Sequence, residues 1–350
     1  MERAALLTTA GLAARGHSVL WVSLNPLGAL KPLLDEPHTP CQGLQYRGLC
    51  GWRSIPSMAA AFGRQPADAV VMTGPNLAAM AALGPRHRQP RLLAVHHYHT
   101  GVKPAWQWRL MYRVALRRFH VITFPSDFIR REAESICPAI APLCRTVRNP
   151  IVVPPLPSSS LRAAARQRLG LPVEAPVVGN AGWLIPLKRF DVFLRVAAIV
   201  ARSVPDAVFL IAGGGPERKA LGDLARELNI ESKIRWLGWQ TDLTDFYLSL
   251  DVLLFNSDWD AFPTTPLEAM SFAVPVVASV RHGGLSEAIS SACYGFLSAE
   301  HDLPALADSV IRSIGDPDGV GRAGRQRVLE MLHADKCVSQ FLKELQSVQN

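Results

Sequence analysis

Two acidic residues flank a predicted helix start in the segment Ser257–Ser279. A strand is predicted to end near Asn256, and a polar loop carries Asp260. A helix is predicted to begin near Thr265, with Glu268 in its first turns. The free backbone N–H groups of a helix start bind a diphosphate well, and carboxylates beside them can hold sugar and ribose hydroxyl groups. An equally good interpretation is that Asp260 lies in a surface loop and Glu268 only stabilises the helix start through its charge.

Three histidines, His96, His97 and His99, follow a predicted strand in the first half. Imidazole nitrogens bind metal ions, but no carboxylate lies nearby in the sequence to complete such a site. Ordinary surface or core histidines remain an equally good interpretation.

The predicted helix within Lys103–Phe119 interleaves three arginines with three aromatic residues. These residues are Arg109, Arg113, Arg117, Trp106, Trp108 and Tyr112. A basic amphipathic helix with aromatic residues can lie on an anionic membrane surface and meet a lipid-linked acceptor. The alternative is an ordinary helix that packs on the sheet with its arginines in water.

Short apolar runs alternate with helix-length amphipathic segments along the chain, which is typical of βαβ units and a parallel sheet. Strands are predicted at Ser18–Ser23, Ala69–Thr73, Arg91–His96, Val121–Phe124, Val177–Gly179, Val208–Ala212, Ile234–Leu237, Val252–Phe255 and Val276–Ser279. We predict an α/β protein with two Rossmann-like domains facing a cleft. In such folds, ligands bind beyond the carboxyl ends of the strands.

A proline-rich stretch at 148–160 predicts the linker between the domains, because its prolines disfavour both helix and ladder hydrogen bonds. The first domain is predicted to span residues 1–150 and the second residues 160–334. A helix at 335–350 is predicted to return to the first domain.

The composition is that of a globular protein, with 49% apolar and 19% charged residues among 350. No apolar run is long enough for a transmembrane helix, and the start does not resemble a signal peptide, so we expect a cytoplasmic protein. The net charge of +8 is concentrated before residue 150. That half is expected to meet phosphate or a lipid surface, since no nucleic-acid-binding motif is present.

Six cysteines lie far apart and form no CxxC pair. This spacing argues against a disulfide framework and against a structural zinc site. We therefore expect reduced, mostly buried thiols and no bound metal.

The segment from Asp260 to Glu268 resembles the acid-x7-Glu motif of the family 4 (group 1) retaining glycosyltransferases, although the family usually has Glu where this chain has Asp260. The flanking text is also similar to that family. The matching stretches are GWLIPLKRFD at 182–191, LIAGGGPERKAL at 210–221, IRWLGW at 234–239 and HGGLSEAI at 282–289. The resemblance covers nearly all of the second half, and it implies the GT-B arrangement of two Rossmann-like domains.

The resemblance implies a role for each matching residue. Lys188 would neutralise the donor diphosphate, Glu268 would bind the ribose hydroxyls, and Asp260 would contact the donor sugar. Backbone amides near the helix start and the glycine turns would shape the donor site. These further donor-site residues are Gly182, Trp183, Gly213, Gly215, Phe262, Pro263, Thr264 and Thr265.

Two residues depart from the family pattern. Trp183 stands where the family usually has a diphosphate-binding Arg, which removes a cationic contact. Pro263 replaces a glycine and supplies no N–H donor. We therefore expect the donor geometry to differ from the common one.

The sequence Asp258-Trp259-Asp260 allows another interpretation, because a DxD motif chelates a metal–diphosphate complex in the other large glycosyltransferase fold. The flanking text favours the metal-independent fold. Chelator sensitivity of the activity distinguishes the two.

In the first half the resemblance is weaker. It would place His96 or His97 in the cleft, within reach of the donor sugar. Ser126 and Asn149 also match family landmarks, and Ser126 is an equally good helix N-cap.

Family members usually open with a strand and a glycine-rich loop before the helix that resembles residues 1–19. We therefore expect the first domain to lack its first strand, either because translation starts upstream or because the chain is truncated.

The leading hypothesis is a retaining glycosyltransferase that moves a hexose-type sugar from a nucleoside diphosphate to a glycan or lipid-linked acceptor, in cell-surface polysaccharide or glycolipid synthesis. No separate cofactor is expected, and the enzyme would work in the cytoplasm or at the inner face of the membrane. The alternatives are a non-catalytic nucleotide-sugar-binding protein, or a sugar-nucleotide epimerase or a phosphorylase on the same fold.

Overall fold

The computed structural model describes residues 2–24, 40–43, 49–64, 67–84, 91–95, 103–298, 300–315 and 319–347. The chain divides into two compact units. The first unit comprises Met1–Pro150 and Ala334–Asn350, and the second comprises Ile151–His333.

Twelve strands run through the described residues. They are β1 (Trp21–Ser23), β2 (Cys41–Gly43), β3 (Val70–Thr73), β4 (Arg91–Ala94), β5 (Val121–Phe124), β6 (Cys144–Thr146), β7 (Val177–Ala181), β8 (Val208–Ala212), β9 (Ile234–Gly238), β10 (Val252–Asp260), β11 (Val276–Gly283) and β12 (Phe296–Ser298).

Fourteen α-helices accompany them in the same part of the chain. They are α1 (Glu2–Ala13), α2 (Ile55–Arg64), α3 (Leu77–Ala82), α4 (Ala105–Leu116), α5 (Asp127–Ile136), α6 (Ser159–Arg168), α7 (Phe190–Ser203), α8 (Arg218–Glu227), α9 (Thr244–Ser249), α10 (Thr264–Ser271), α11 (Leu285–Ala288), α12 (Leu303–Gly315), α13 (Gly319–Leu332) and α14 (Ala334–Gln346). Short 3₁₀ turns lie at Leu49–Ser54, Pro138–Leu143, Pro186–Lys188 and Glu231–Lys233.

The first unit contains a four-stranded parallel sheet in the order β3-β4-β5-β6. Strands β4 and β5 are buried along their whole length, as their apolar runs require when helices cover both faces of a parallel sheet. Strands β1 and β2 pair in parallel but form a sheet of their own.

The second unit contains one parallel sheet of six strands in the order β12-β11-β10-β7-β8-β9. Counted along the chain, this is the Rossmann order 3-2-1-4-5-6. The strand order reverses between β7 and β10, and this reversal opens a crevice at the carboxyl ends of the strands. The functional site is therefore expected there.

Helices cover both faces of the six-stranded sheet. On one face, α7 and α12 bury residues such as Phe193 and Leu306 against the sheet, where Phe193 meets the ring of Phe209 edge-on at 6.4 Å between centroids. On the other face, α10 and α13 bury Leu267 and Val328. The sheet is thus a rigid layer from which the loops at its carboxyl end project.

The fold class predicted from the sequence, two Rossmann-like α/β domains, is confirmed. One local prediction is wrong. Strand β10 does not end near Asn256 but continues to Asp260, because Trp259 and Asp260 still pair with His282 and Gly283 of β11. The rings of Trp259 and His282 stack at 4.0 Å between centroids. Asp260 therefore lies on a strand rather than in a loop.

Candidate functional site

The crevice forms because β10 leaves β7 early. The two strands pair only where Val252 and Leu253 meet β7, whereas β10 stays with β11 as far as Asp260. The 3₁₀ turn Pro186–Lys188 lies beside the free part of β10, and Ser257 Oγ donates a hydrogen bond to the carbonyl of Leu187 at 3.2 Å. The turn is thereby fixed against β10 at the switch point of the sheet.

Lys188 and Asp260 meet in this crevice, because Nζ of Lys188 forms an ion pair with Oδ2 of Asp260. The side chains are 23% and 15% exposed. Nζ of Lys188 also lies 5.5 Å from the ring centroid of Phe255. Two residues that the sequence singled out for the donor site are thus direct partners, within reach of solvent.

The start of α10 offers two backbone donors. The N-cap is Pro263, no side chain caps the helix, and Pro266 also lacks an N–H group. The orphan N–H groups of the first turn therefore belong to Thr264 and Thr265. Thr265 Oγ1 donates to the carbonyl of Ala181 at 3.2 Å, which ties the helix start to the end of β7. Phe262 and Pro263 are buried and shape the entry to the helix.

Glu268 is half-buried in the second turn of α10 and has a partner that the sequence reasoning missed. Tyr247 of α9 donates its hydroxyl to Oε2 of Glu268 at 2.6 Å, and its ring stacks on Phe272 at 5.4 Å between centroids. The contact fixes the direction of the Glu268 carboxylate. No motif relates Tyr247 to Glu268, so the sequence carried no signal for it.

The glycine turn after β8 lies directly against the loop after β7. A Cβ atom on Gly213 would lie 1.9 Å from the carbonyl oxygen of Gly182, and one on Gly215 would lie 2.4 Å from that of Leu184. Both glycines have positive φ, at +142° and +155°. Only glycine allows this close approach. Trp183 lies between Gly182 and Leu184 in the loop after β7 and is 61% exposed.

Arg189, next to Lys188, is a charged residue that sequence reasoning passed over. It has left-handed backbone geometry at φ 45° and contacts both oxygens of Asp191, at 3.0 and 3.1 Å. These hydrogen bonds raise the pKa of Arg189. Burial by itself raises the pKa of Asp191. The hydrogen bonds from Arg189 and the positive charge of that residue outweigh burial, so the pKa of Asp191 is lowered. Arg189 and Asp191 are therefore a stable ion pair.

The two aspartates of the Asp-Trp-Asp sequence have separate partners. Asp258 Oδ1 lies 3.2 Å from Nη1 of Arg189 and 3.1 Å from Nε2 of His301, whereas Asp260 pairs with Lys188. A DxD metal site uses carboxylate oxygens of the motif as ligands. Here each carboxylate already has a cationic or N–H partner of its own, so the geometry does not favour one metal ion shared by Asp258 and Asp260.

The candidate residues of the first half add little to the description of the site. His96 and His97 lie outside the described residues. Ser126 caps α5, because its Oγ accepts a hydrogen bond from the N–H of Ile129 at 3.3 Å. Asn149 is buried near the end of the first unit.

Family models match nearly the whole chain. Residues 1–153 match the model described as "Glycosyltransferase Family 4", and residues 162–327 match the model described as "Glycosyl transferases group 1". The chain belongs to this glycosyltransferase family. The second match contains the Lys188–Asp260 pair and Glu268, so these three residues lie within the region that the family model covers.

Curated relatives include other glycosyltransferases. A D-inositol 3-phosphate glycosyltransferase from Saccharomonospora viridis is 40% identical over 43% of this chain and 37% of its own length. An N-acetyl-alpha-D-glucosaminyl L-malate synthase from Bacillus anthracis is 30% identical over 44% of this chain and 41% of its own length. The aligned region thus spans about two fifths of each relative.

The solved structures of Anabaena Alr3699/HepE share the fold of this glycosyltransferase family member. The complex with UDP and glucose superposes with a TM-score of 0.81 over 98% of this chain and 95% of that chain, at 19% identity. The likeness confirms the two-domain fold predicted from the sequence.

Proposed function

We propose that this protein transfers a sugar from a nucleoside-diphosphate donor to a glycan or lipid-linked acceptor, with retention of anomeric configuration. The Lys188–Asp260 pair carries the proposal, because it lies at the switch point of the sheet where Rossmann-like folds bind nucleotides. Membership of the glycosyltransferase family supports it. Alr3699/HepE has been solved with UDP-glucose, which makes UDP-sugars the first donors to test.

In this proposal the crevice stabilises the departing diphosphate. The Lys188 ammonium and the backbone N–H groups of Thr264 and Thr265 would meet negative charge as it develops on the leaving group, which lowers the barrier when the donors are preorganised. Asp260 would then hold a hydroxyl of the transferred sugar. Glu268, aligned by Tyr247, would bind the ribose hydroxyls. No side chain need form a covalent bond to the sugar.

The proposal is tested with donor binding and turnover in the Glu268→Ala variant. Loss of the ribose contact is expected to weaken UDP-sugar binding at least tenfold and to reduce transfer to background, as measured by calorimetry and product formation. Glu227→Ala removes an exposed acid from the same unit and serves as the control. Unchanged turnover in Glu268→Ala would contradict the proposal, and donor binding by the wild type without transfer would favour the binding-only alternative.

The reaction is proposed to need no metal ion, because Asp258 and Asp260 are held by Arg189, His301 and Lys188. Turnover is therefore expected to be unchanged in excess chelator. Activity lost in chelator and restored by manganese would establish the DxD alternative.

We also propose that the protein works at the inner face of a membrane through the outer face of α4. Trp106 is 63% exposed, and Arg109, Leu110, Arg113 and Arg117 also face solvent. Trp108 and Tyr112, which the sequence had grouped with these residues, are buried instead. The exposed face is basic and carries apolar side chains, as interfacial helices do.

Flotation with vesicles tests this surface. Binding to vesicles with acidic lipid is expected at low salt and is expected to fall with rising salt. The double variant Arg113→Glu/Arg117→Glu should abolish it, whereas the exposed pair Arg226→Glu/Arg235→Glu in the second unit should not. Failure of the wild type to float at low salt would rule out the membrane role. Among the described residues, none of the helices combines the length and apolar character needed to cross a bilayer.

A further inference from the structure

A continuous row of side-chain hydrogen bonds runs beneath the crevice. Nδ2 of Asn256 donates to Oγ of Ser279 at 2.7 Å, and Oγ of Ser279 lies 2.6 Å from Nδ1 of His301. Nε2 of His301 lies 3.1 Å from Oδ1 of Asp258, which in turn lies 3.2 Å from Nη1 of Arg189. The row joins strands β10 and β11, the segment after β12, and the residue beside Lys188.

The donors and acceptors of the row define one tautomer of His301. The carboxylate of Asp258 accepts, so Nε2 must carry the proton. Ser279 receives a hydrogen from Asn256 and can donate its own to Nδ1, which is then the acceptor. A hydrogen on Nε2 of His301 is therefore what the contact with Asp258 requires.

Serine, histidine and aspartate in one row also occur in hydrolases, but here the serine cannot reach a substrate. Ser279 is 0% exposed, and it lies on the buried part of β11 beside Asn256, which is also fully buried. A nucleophile must be accessible to the group it attacks. The row is therefore a means of positioning, not a nucleophilic triad.

The row ends on a strained residue. Arg189 has φ 45° and ψ 44°, a left-handed conformation that is unfavourable for a non-glycine residue. Its guanidinium contacts Asp191 on one side and Asp258 on the other. Its backbone closes the Pro186–Lys188 turn, since its N–H donates to the carbonyl of Pro186 at 3.1 Å, and it also opens α7. Strain of this kind persists where the surroundings hold it, and it often marks a functional site.

We propose that His301 is a positioning residue for donor binding: through Asp258 it fixes Arg189, and Arg189 fixes the turn that presents Lys188 to the donor diphosphate. The inference rests on the proposed function. Arg189 itself is not assigned to the diphosphate, because two carboxylates already neutralise its charge. His301 contacts neither Lys188 nor Asp260 directly, so its effect must pass through the row.

Two variants of His301 separate the two ring nitrogens. Glutamine can place an N–H donor where Nε2 lies and keep the bond to Asp258, whereas asparagine is too short and can replace only Nδ1. We expect His301→Asn to weaken UDP binding about fivefold to tenfold in calorimetry, with His301→Gln within about twofold of the wild type. Both substitutions alter the packing of one mostly buried side chain, so a merely structural role predicts similar affinity losses for both.

Nuclear magnetic resonance supplies a test that needs no donor. The backbone amide signals of Lys188 and Arg189 are expected to shift in His301→Asn and to stay near their wild-type positions in His301→Gln. Unshifted signals in His301→Asn, or equal affinity losses in the two variants, would overturn the inference. If the wild type binds no nucleotide sugar, the proposed function fails, and the amide signals still decide whether His301 positions the Lys188 turn.

Discussion

Under the proposed function, Lys188 has two competing anions. Its ammonium pairs with Asp260, and a donor diphosphate would have to draw it away from that carboxylate. The pair therefore lowers the affinity for the diphosphate while it holds both side chains in the crevice. Part of the donor's binding energy would be used to separate Lys188 from Asp260 and free the carboxylate for a sugar hydroxyl.

The variant Asp260→Asn separates the competition of Asp260 for Lys188 from the contact of Asp260 with the donor sugar. Without the competing carboxylate, UDP is expected to bind about threefold to tenfold more tightly, as fits a partly buried ion pair worth ~1 kcal/mol. Sugar transfer is expected to be at least about tenfold slower, because a contact to the donor sugar is lost. Calorimetry measures the affinity for UDP, and a turnover assay measures the rate of sugar transfer. Asp308→Asn, an exposed change of the same charge, is the control, and weaker UDP binding in Asp260→Asn would contradict the argument.

The residues of this site differ in how well the sequence predicts them. Lys188, Asp260 and Glu268 lie in segments with a recognisable order and spacing, and the structure brings Lys188 and Asp260 together. Tyr247 and His301 come from separate elements, and each meets an acidic residue, Glu268 or Asp258, through one hydrogen bond. A single contact across the fold leaves no periodic pattern in the sequence, so these two residues became visible only in three dimensions.

At the scale of elements, apolar runs in the sequence predict the positions of the strands well. Where a strand ends in polar residues, the sequence predicts its end poorly. The central strands β8 and β10 are fully apolar where they cross the sheet, and they lie where the sequence placed them. The last residues of β10, Ser-Asp-Trp-Asp, are typical of a loop, yet β11 pairs with them. Strands β2, β6 and β12, of three residues each, are not predicted, because so short a run shows no measurable alternation.

The close contact between the loops after β7 and β8 depends on Gly213. Gly213→Ala would place a methyl group against the carbonyl of Gly182 and impose an unfavourable φ, so we expect the free energy of unfolding to fall by about 2–4 kcal/mol. Gly214→Ala is the matched control, because its Cβ would meet nothing within 4 Å. Denaturant unfolding compares the two. If Gly213→Ala lowers the free energy of unfolding no more than Gly214→Ala does, the loops can separate without loss of stability.

Helix α10 ends in a Schellman motif with an alanine where glycine is usual. Ala273 has φ 59°, its N–H donates to Met270 at 3.0 Å, and the N–H of Val274 donates to Ala269 at 3.0 Å. Ala273→Gly removes the left-handed strain, which outweighs the added flexibility of the unfolded chain, so stability is expected to rise by about 0.5–1 kcal/mol. Ala220→Gly, on the exposed side of α8, should lower stability by about 1 kcal/mol. A fall in stability in both variants would contradict the assignment of a Schellman motif with a strained Ala273.

At the scale of the whole molecule, helices α1 and α14, far apart in the sequence, meet in the first unit. Helix α14 follows directly on the second unit but packs with α1, and Arg15, two residues after α1, forms an ion pair with Asp335 at 2.9 Å. Gln340 also donates to the carbonyl of Thr146 at 2.8 Å. The chain therefore crosses between the units twice, near residues 150 and 334, and each unit keeps a core of its own.

Phe341 tests whether the two cores are energetically separate. Its side chain is buried with Leu92, Val121 and Val147, so Phe341→Ala is expected to remove about 3–5 kcal/mol of stability from the first unit. Hydrogen exchange measured by mass spectrometry should show faster exchange in β4 and β5, with β7 to β11 unchanged and UDP affinity retained. Phe209→Ala, in the core of the second unit, should give the reverse pattern. Faster exchange throughout the chain in Phe341→Ala would show that the two units unfold as one cooperative body, and donor binding would then depend on α14.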